Sequence, residues 1–183
     1  GSEYKEFLNN GKTEREVVEI TMEILEKNGF KNIEKVKSLK AGDKIFFNNR
    51  NKNILMSIIG KEDMKKGINM VVSHVDSPRL DLKMNPLLED EEFLMLNTHY
   101  YGGIKKYQWT TIPLSIHGVV VKANGEKTYV NVGDDEKDPV FTITDLLPHL
   151  AQDQMQKKLA DGITGEQLNL LIGSIPLEGS EKE

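Results

Sequence analysis

The chain contains no cysteine among its 183 residues. Disulfide bonds and thiolate metal sites are therefore excluded, and any metal ion would have to be bound by histidine and carboxylate side chains. The sequence also lacks an apolar run near the roughly 20 residues that span a bilayer, so we expect no membrane insertion. The amino terminus has no charged and then apolar secretion signal, which makes the cytoplasm the expected compartment.

Charge of either sign is not strongly in excess. The chain has 24 basic and 29 acidic residues, for a formal net charge of -5. Binding to the phosphate backbone of nucleic acids requires a concentrated basic face, so nucleic acid is not an expected partner. The 38% apolar and 29% charged content is typical of a soluble globular protein, and the length allows one ordinary domain or two small ones.

The most informative motif is a histidine and an aspartate, His74 and Asp76, placed just after an apolar run over Ile68–Val72. In an extended chain alternate side chains share a side, so this pair is expected to point the same way, and Pro78 ends the strand. A neutral imidazole is a common zinc ligand, and a nearby carboxylate can join the coordination or fix the imidazole tautomer. The alternative without a metal is a histidine at a strand end that is hydrogen-bonded to a turn-forming aspartate. The pattern alone does not decide between a metal site and this structural role.

The first 83 residues resemble part of an α/β layered domain. Thr13 and Glu16 have the spacing of a capping box, which predicts a helix that ends at Gly29. Two β-rich runs follow, Lys44–Asn48 and Ile54–Ile59, joined by a polar hairpin connection. Together with the predicted strand before His74, these elements favour an amino-terminal α/β half-domain over residues 1–83.

From Met84 the sequence changes to short strands and turns, which predicts a β-rich second domain over residues 84–176 and an acidic tail over 177–183. The Asn124-Gly125 pair between β-branched runs is a strong hairpin signal. Thr144-Asp145 is typical of a helix start, and the helix is expected to reach Gly162 with its leucines in the core or at an interface. The elements predicted here are strands at Phe93–Thr98, Ile112–Lys122 and Thr128–Val132, the helix with Leu146, Leu147 and Leu150, and a final apolar run at Leu168–Ile175.

Three separated motifs carry a resemblance to a known family. They are residues 74–83 (HVDSPRLDLK), residues 98–104 (THYYGGI) with Trp109, and residues 139–150 (PVFTITDLLPHL). In this order and spacing the chain resembles the family of aspartyl aminopeptidase and vacuolar aminopeptidase I. The resemblance implies the first part of an α/β zinc-aminopeptidase domain followed by a β-rich, barrel-like oligomerisation domain.

The same resemblance implies a function and a site. The family uses two zinc ions to hydrolyse the amino-terminal residue from peptides and assembles into homo-oligomeric dodecamers. His74 matches the first metal ligand, and Asp76 matches the catalytic aspartate. The family's other ligands, including two adjacent glutamates and a final histidine, have no counterpart here, and Glu91-Glu92 are expected in an exposed charged turn. We therefore expect this chain alone to be inactive.

The remaining histidines have less specific signals. His99 stands beside two tyrosines and two glycines and could line a substrate pocket or an interface, or be an ordinary loop histidine. The resemblance implies that His149 reaches a neighbouring subunit's active site. His117 alternates with apolar residues and is expected to serve strand packing, or to be a polar residue of the strand surface, rather than to have a functional role. An alternative interpretation of the whole chain is a non-catalytic assembly or scaffold module in which His74 binds no metal.

Overall fold

The computed structural model describes residues 1–90 and 92–175, and it divides into two compact units between Ser77 and Pro78. Both helices and sheets are present, so the predicted mixed α/β class is confirmed. The sequence placed the boundary near Lys83, but that residue lies inside a strand that begins at Arg79 and is paired within the second unit. The division therefore precedes that strand. Within the described residues, no helix is long and apolar enough to cross a membrane.

The first unit begins with two helices, α1 (Ser2–Asn10) and α2 (Glu14–Lys27). Helix α1 is a polar nine-residue helix that buries no side chain, and it was not predicted from the sequence. Helix α2 was predicted correctly. The Thr13 side chain accepts a hydrogen bond from the backbone N–H of Glu16, and the Glu16 carboxylate accepts one from the backbone N–H of Thr13 at 2.8 Å. This reciprocal pair satisfies two N–H groups that the first helical turn leaves without partners.

A three-stranded sheet packs with α2 in the first unit. Its strands are β1 (Lys31–Asn32), β2 (Lys44–Asn49) and β3 (Asn53–Ile58), in the order β1-β2-β3. The predicted hairpin is confirmed, with antiparallel register from Lys44 opposite Ile58 to Asn49 opposite Asn53. The buried apolar residues of this unit are Val18 and Leu25 from α2 and Ile45 and Phe46 from β2. Burial on one helical stripe and one sheet face is the pattern of a two-layer packing.

The predicted strand at Ile68–Val72 does not form. Residues 67 to 78 have no regular secondary structure, and Val71 and Val72 are 98% and 82% exposed. A continuous apolar run is typical of a strand that is buried between neighbours, and it acquires its hydrogen-bond ladder only from those neighbours. No strand of the described residues pairs with this segment. The sequence pattern therefore indicates a preference for the strand conformation, but the described residues supply no neighbouring strand with which it could pair.

The second unit contains two antiparallel sheets. The first has the order β4-β5-β8, from β4 (Arg79–Asp90), β5 (Phe93–Tyr101) and β8 (Leu170–Gly173). The second pairs β6 (Ile116–Val121) with β7 (Lys127–Val132), and Gly125 in their connection has φ of +85°, as the predicted turn requires. The core is a cluster of buried side chains from these strands and the segments between them, namely Leu96, Phe141, Ile143, Ile163, Leu168 and Leu170.

The helix predicted from Thr144 is wrong. Over residues 144–162, all of which the structure describes, the only helix is α3 (Gln152–Met155), and the three leucines before it are at least half exposed. Pro148 disfavours helical geometry at the residue before it, and the Asp145 carboxylate accepts a hydrogen bond from the backbone N–H of Leu146 at 2.8 Å. The leucines are therefore not core residues. The predicted domain end at Pro176 and the acidic tail lie outside the described residues, as does Glu91.

Candidate metal site

His74 and Asp76 are brought together as the sequence predicted, although not by a regular strand. The imidazole Nδ1 of His74 lies 3.1 Å from Oδ1 of Asp76. The His74 side chain is 93% exposed and the Asp76 side chain 29%. Residues two apart in an extended chain point to the same side, and that local rule is enough to form the pair. Neither residue depends on the missing strand for this contact.

The geometry of the pair suits an imidazole that binds a metal through its other nitrogen. A carboxylate accepts hydrogen bonds, so its contact with Nδ1 favours the tautomer that carries the proton there. The lone pair is then on Nε2, which faces solvent on this exposed side chain. Metal-binding histidines commonly donate their second ring N–H to a carboxylate in this way. The donor set is therefore compatible with one zinc–imidazole bond.

The described residues alone do not complete a metal site. They contain no group of three or more histidine, cysteine, aspartate or glutamate side chains that could hold an ion. Zinc in proteins is usually held by three or four protein ligands. At His74 the described residues offer one imidazole and one carboxylate in contact, so the remaining ligands would have to come from elsewhere.

The two other histidines with predicted site roles belong to the second unit. His99 lies on β5 opposite Asp81 of β4, with an exposed side chain whose Nδ1 is 3.4 Å from the carbonyl oxygen of Tyr100. His149 is exposed in the turn that follows Pro148. Among the described residues, neither belongs to a group of three or more side chains that could hold a metal ion. Their substrate or inter-subunit roles stay predictions.

His117 has the most developed surroundings of the four histidines, as its predicted role in strand packing implies. Its side chain is 7% exposed, and its Nε2 lies 3.0 Å from Oγ of Ser115 and 3.2 Å from Oδ2 of Asp134. A catalytic triad needs the histidine to bridge its two partners through different nitrogens, and here both lie at Nε2. This cluster therefore anchors a loop rather than activating a nucleophile. The sequence signal that was missed is Asp134, which follows Gly133 at the end of β7.

The carboxyl group of Asp134 is electrostatically stabilised in this cluster. Partial burial raises its pKa, but hydrogen bonds from Ser115, His117 and Asn131 together with the charge of His117 outweigh burial and leave the pKa below its ordinary value. The carboxylate is thus favoured over the neutral acid. This strengthens the connection between the loop after β7 and the start of β6.

Comparison with known proteins identifies the class to which this chain belongs. The sequence profile of a family described as "Aminopeptidase I zinc metalloprotease (M18)" matches residues 7–183. The chain therefore belongs to the M18 family of metallopeptidases.

Individual relatives agree with this assignment. The chain is 53% identical over 188 residues to a probable M18 family aminopeptidase 1 of Clostridium acetobutylicum, covering 100% of this chain and 40% of the relative. An M18 aminopeptidase structure from Thermotoga maritima matches with a TM-score of 0.91 and 46% identity over 99% of this chain and 40% of that one. The mApe1 dodecamer of S. cerevisiae matches at 24% identity with a TM-score of 0.69, covering 97% of this chain and 38% of that one, a likeness of fold alone.

The chain spans about two fifths of the length of the relatives that it matches. Membership in the family is shown for the sequence that is present.

Proposed function

We propose that this chain is part of a zinc-dependent aminopeptidase that removes amino-terminal residues from peptides, and that His74 is one of its metal ligands. The observation that supports this most directly is the 3.1 Å contact between Nδ1 of His74 and Oδ1 of Asp76. Membership in a zinc metalloprotease family adds the expected metal. The pair has the chemistry of a zinc-bound imidazole with a carboxylate behind it.

Each of the two residues has a distinct role in this proposal. His74 would hold the ion through Nε2. Asp76 would accept the Nδ1 hydrogen and keep the ring in one orientation, which makes it a positioning residue for the ligand. A bound zinc ion would supply an acidified water and polarise the scissile carbonyl. The other ligands, including those for a second zinc ion, would come from the part of the enzyme that this chain lacks.

The exposed segment before His74 supports the same view. Val71 and Val72 are almost fully exposed, although such residues are usually buried. Strands supplied by the remainder of the enzyme would cover them, form the predicted strand at 68–72 and fix the direction of the His74 side chain. The 183-residue chain by itself would then lack both the ligands and the rigidity needed for turnover.

The test uses the full-length cytoplasmic enzyme that contains this chain. We expect His74→Ala to lower the bound zinc measured by mass spectrometry and to abolish aminopeptidase activity. Asp76→Asn should reduce zinc affinity or activity by about 10- to 100-fold, because it weakens the support behind a ligand. Ser73→Ala, at an exposed neighbour, is the matched control and should change neither. Full zinc content and normal turnover in His74→Ala would exclude the ligand assignment.

Misfolding of His74→Ala could also lower zinc content and activity, so the stability of the variant is measured in parallel. His74 is 93% exposed, so its replacement should change the free energy of unfolding of the 183-residue chain by less than about 0.5 kcal/mol. The unmodified chain should bind zinc weakly, because His74 and Asp76 offer at most two of the roughly four bonds that zinc takes. Tight one-to-one zinc binding by this chain would mean that a complete site exists within it.

A second role, in assembly, is favoured by the surface of the second unit. Large apolar side chains are exposed on the β6–β7 hairpin and in the segment before α3, namely Val120, Val121, Tyr129, Leu146, Leu147 and Leu150. Exposed apolar groups of this kind commonly mark contacts between proteins.

We propose that this unit is the barrel-like oligomerisation domain and that it forms a homo-oligomer, which is a dodecamer in the complete enzyme. In this assembly His149 would lie near the active site of a neighbouring subunit. A non-catalytic scaffold would show the same association without zinc dependence. Light scattering that finds a monomer at tens of micromolar would contradict the assembly role.

A further inference from the structure

The acidic chain contains one strongly basic segment. Residues 27–44 hold six lysines and two acidic residues, which gives this segment a net charge of +4. The net charge of the whole chain is -5, so the residues outside the segment have a net charge of -9. The overall charge balance indicated no concentrated basic face, and this local excess of lysine was not predicted from it. A local potential of one sign attracts counter-ions even when the net charge of the protein opposes them.

The basic segment folds around a cleft in the first unit. The cleft lies beside the carboxyl end of α2, and its lining includes Lys31 of β1, Lys40 in the turn before β2 and Lys44 of β2. Ser38 adds a hydroxyl group, and Val36 and Ile45 add apolar surface. Asp43 is the one acidic residue of the lining. Three ammonium groups against one carboxylate leave the cleft positively charged.

The carboxylate of Asp43 is already engaged by the backbone. Its Oδ2 accepts a hydrogen bond from the backbone N–H of Lys40 at 2.8 Å, and the backbone N–H of Asp43 donates to the carbonyl of Lys40 at 3.1 Å. The intervening Gly42 has φ of +91°, and its N–H donates to the carbonyl oxygen of Ile59 at 2.8 Å. These bonds fix the turn that carries Lys40.

Lys44 is restrained from two sides. Its Nζ donates to the carbonyl oxygen of Asn28 at 3.2 Å, and the ammonium lies 5.6 Å from the centre of the Phe30 ring. An ammonium group has three N–H donors, so this hydrogen bond leaves others for a ligand. A cation whose position is set before binding loses less conformational entropy when the ligand arrives.

We infer that this cleft binds a compact multivalent oxyanion of the phosphate type, with Lys31, Lys40 and Lys44 as its cationic contacts. Several ammonium groups around one cleft suit an anion of high charge density, because each ammonium acts as a separate point charge on it. Lysine binds phosphate as a point charge and needs no planar geometry in its partner. The site is separate from His74 and Asp76, and it does not depend on the proposed peptidase function.

Pyrophosphate is the probe, titrated calorimetrically into the 183-residue chain without divalent metal ions. At about 10 mM salt, where screening extends to roughly 30 Å, we expect saturable one-to-one binding that weakens strongly at about 0.15 M salt. Lys31→Gln/Lys40→Gln should weaken binding by about tenfold, because each exposed charge pair contributes up to about fivefold. Lys31→Arg/Lys40→Arg should retain it.

The matched control removes the same charge from the same segment outside the cleft. Lys35→Gln/Lys37→Gln should weaken pyrophosphate binding clearly less than Lys31→Gln/Lys40→Gln at about 0.15 M salt, where charges outside the cleft are largely screened, since neither side chain lines the cleft. Equal losses in the two glutamine double variants would overturn the proposal in favour of diffuse attraction. Absence of saturable binding at low salt would overturn it outright. Tighter binding of a polyglutamate peptide, with the same dependence on Lys31 and Lys40, would assign the cleft to acidic peptides instead.

Discussion

Gly133 has little room for a side chain, and it provides the sharpest test of the second unit. The residue directly follows β7 and has φ of +109°, a geometry that side-chain-bearing residues rarely adopt. A Cβ atom placed there would lie 3.0 Å from both Cα and Cβ of Ser115 and 3.3 Å from the carbonyl oxygen of Leu114. These atoms belong to the backbone or are bonded directly to it, so they cannot rotate away. Gly133→Ala must therefore push the residue after β7 apart from Leu114 and Ser115, which precede β6.

Two other glycines separate the two causes of the expected loss of stability, which are the positive φ and the steric overlap of the new side chain. Gly125 also has positive φ, at +85°, but a Cβ atom added to it would have no neighbour within 4 Å, whereas Gly118 in β6 has neither positive φ nor a close neighbour. Positive φ costs an alanine about 1–2 kcal/mol. Restriction of the unfolded chain returns about 0.4–1 kcal/mol, and overpacking adds about 1–3 kcal/mol. We expect Gly118→Ala to be neutral or stabilising, Gly125→Ala to cost up to about 1.5 kcal/mol, and Gly133→Ala about 2–4 kcal/mol.

Urea unfolding followed by tryptophan fluorescence measures these differences. Trp109 is the chain's single tryptophan and packs against the core cluster of the second unit, so its signal reports that unit. The change in midpoint multiplied by the common slope gives the change in the free energy of unfolding. If Gly133→Ala costs no more than Gly125→Ala, the close approach of the two strand ends does not exist and the description of the His117 cluster fails with it.

Two further predictions concern the same unit. Leu168→Ala should lower the free energy of unfolding by about 2–5 kcal/mol, because Leu168 is fully buried among Phe141, Ile143 and their neighbours; a cost below about 1 kcal/mol in the same urea experiment would contradict this core. Asp134→Asn should destabilise the chain at neutral pH, by less than about 1 kcal/mol because the side chain is 38% exposed. The pKa of Asp134 is lowered on folding, so its contribution is present above the ordinary carboxyl pKa and is lost as the pH falls through the folded value. The difference between wild type and variant should therefore shrink below about pH 4, and a difference that persists unchanged at about pH 3 would refute the pKa shift.

Features that depend on interactions between residues close together in the sequence were predicted correctly. The capping box at Thr13 and the Asn124-Gly125 turn involve groups a few residues apart, and both are confirmed. The contact between His74 and Asp76 also needs only the alternation of an extended chain. These features need no partner from the rest of the molecule.

Features that depend on distant partners were predicted less well. The strand at Ile68–Val72 is absent, because its hydrogen-bond ladder would require neighbours. The helix from Thr144 failed because its leucines have no core to cover and Pro148 interrupts them. Strand β4 was missed, since Pro86 and charged residues conceal a strand whose register shifts between Leu82 and Leu87. The Ser115, His117 and Asp134 cluster joins two strand ends that no short motif connects.

The bare apolar segment at 68–72 has a consequence for how such an enzyme is synthesised. In a full-length protein the size of the Clostridium relative, of which this chain spans 40%, about three fifths of the residues lie outside this chain, and the ribosome adds residues at roughly 5–20 per second. Until the residues that cover this segment are made, Val71 and Val72 would remain exposed in the nascent chain. Apolar β-prone stretches in that condition associate with one another. A chaperone that occupies this segment during translation would therefore protect the strand that precedes His74 until its neighbours are made.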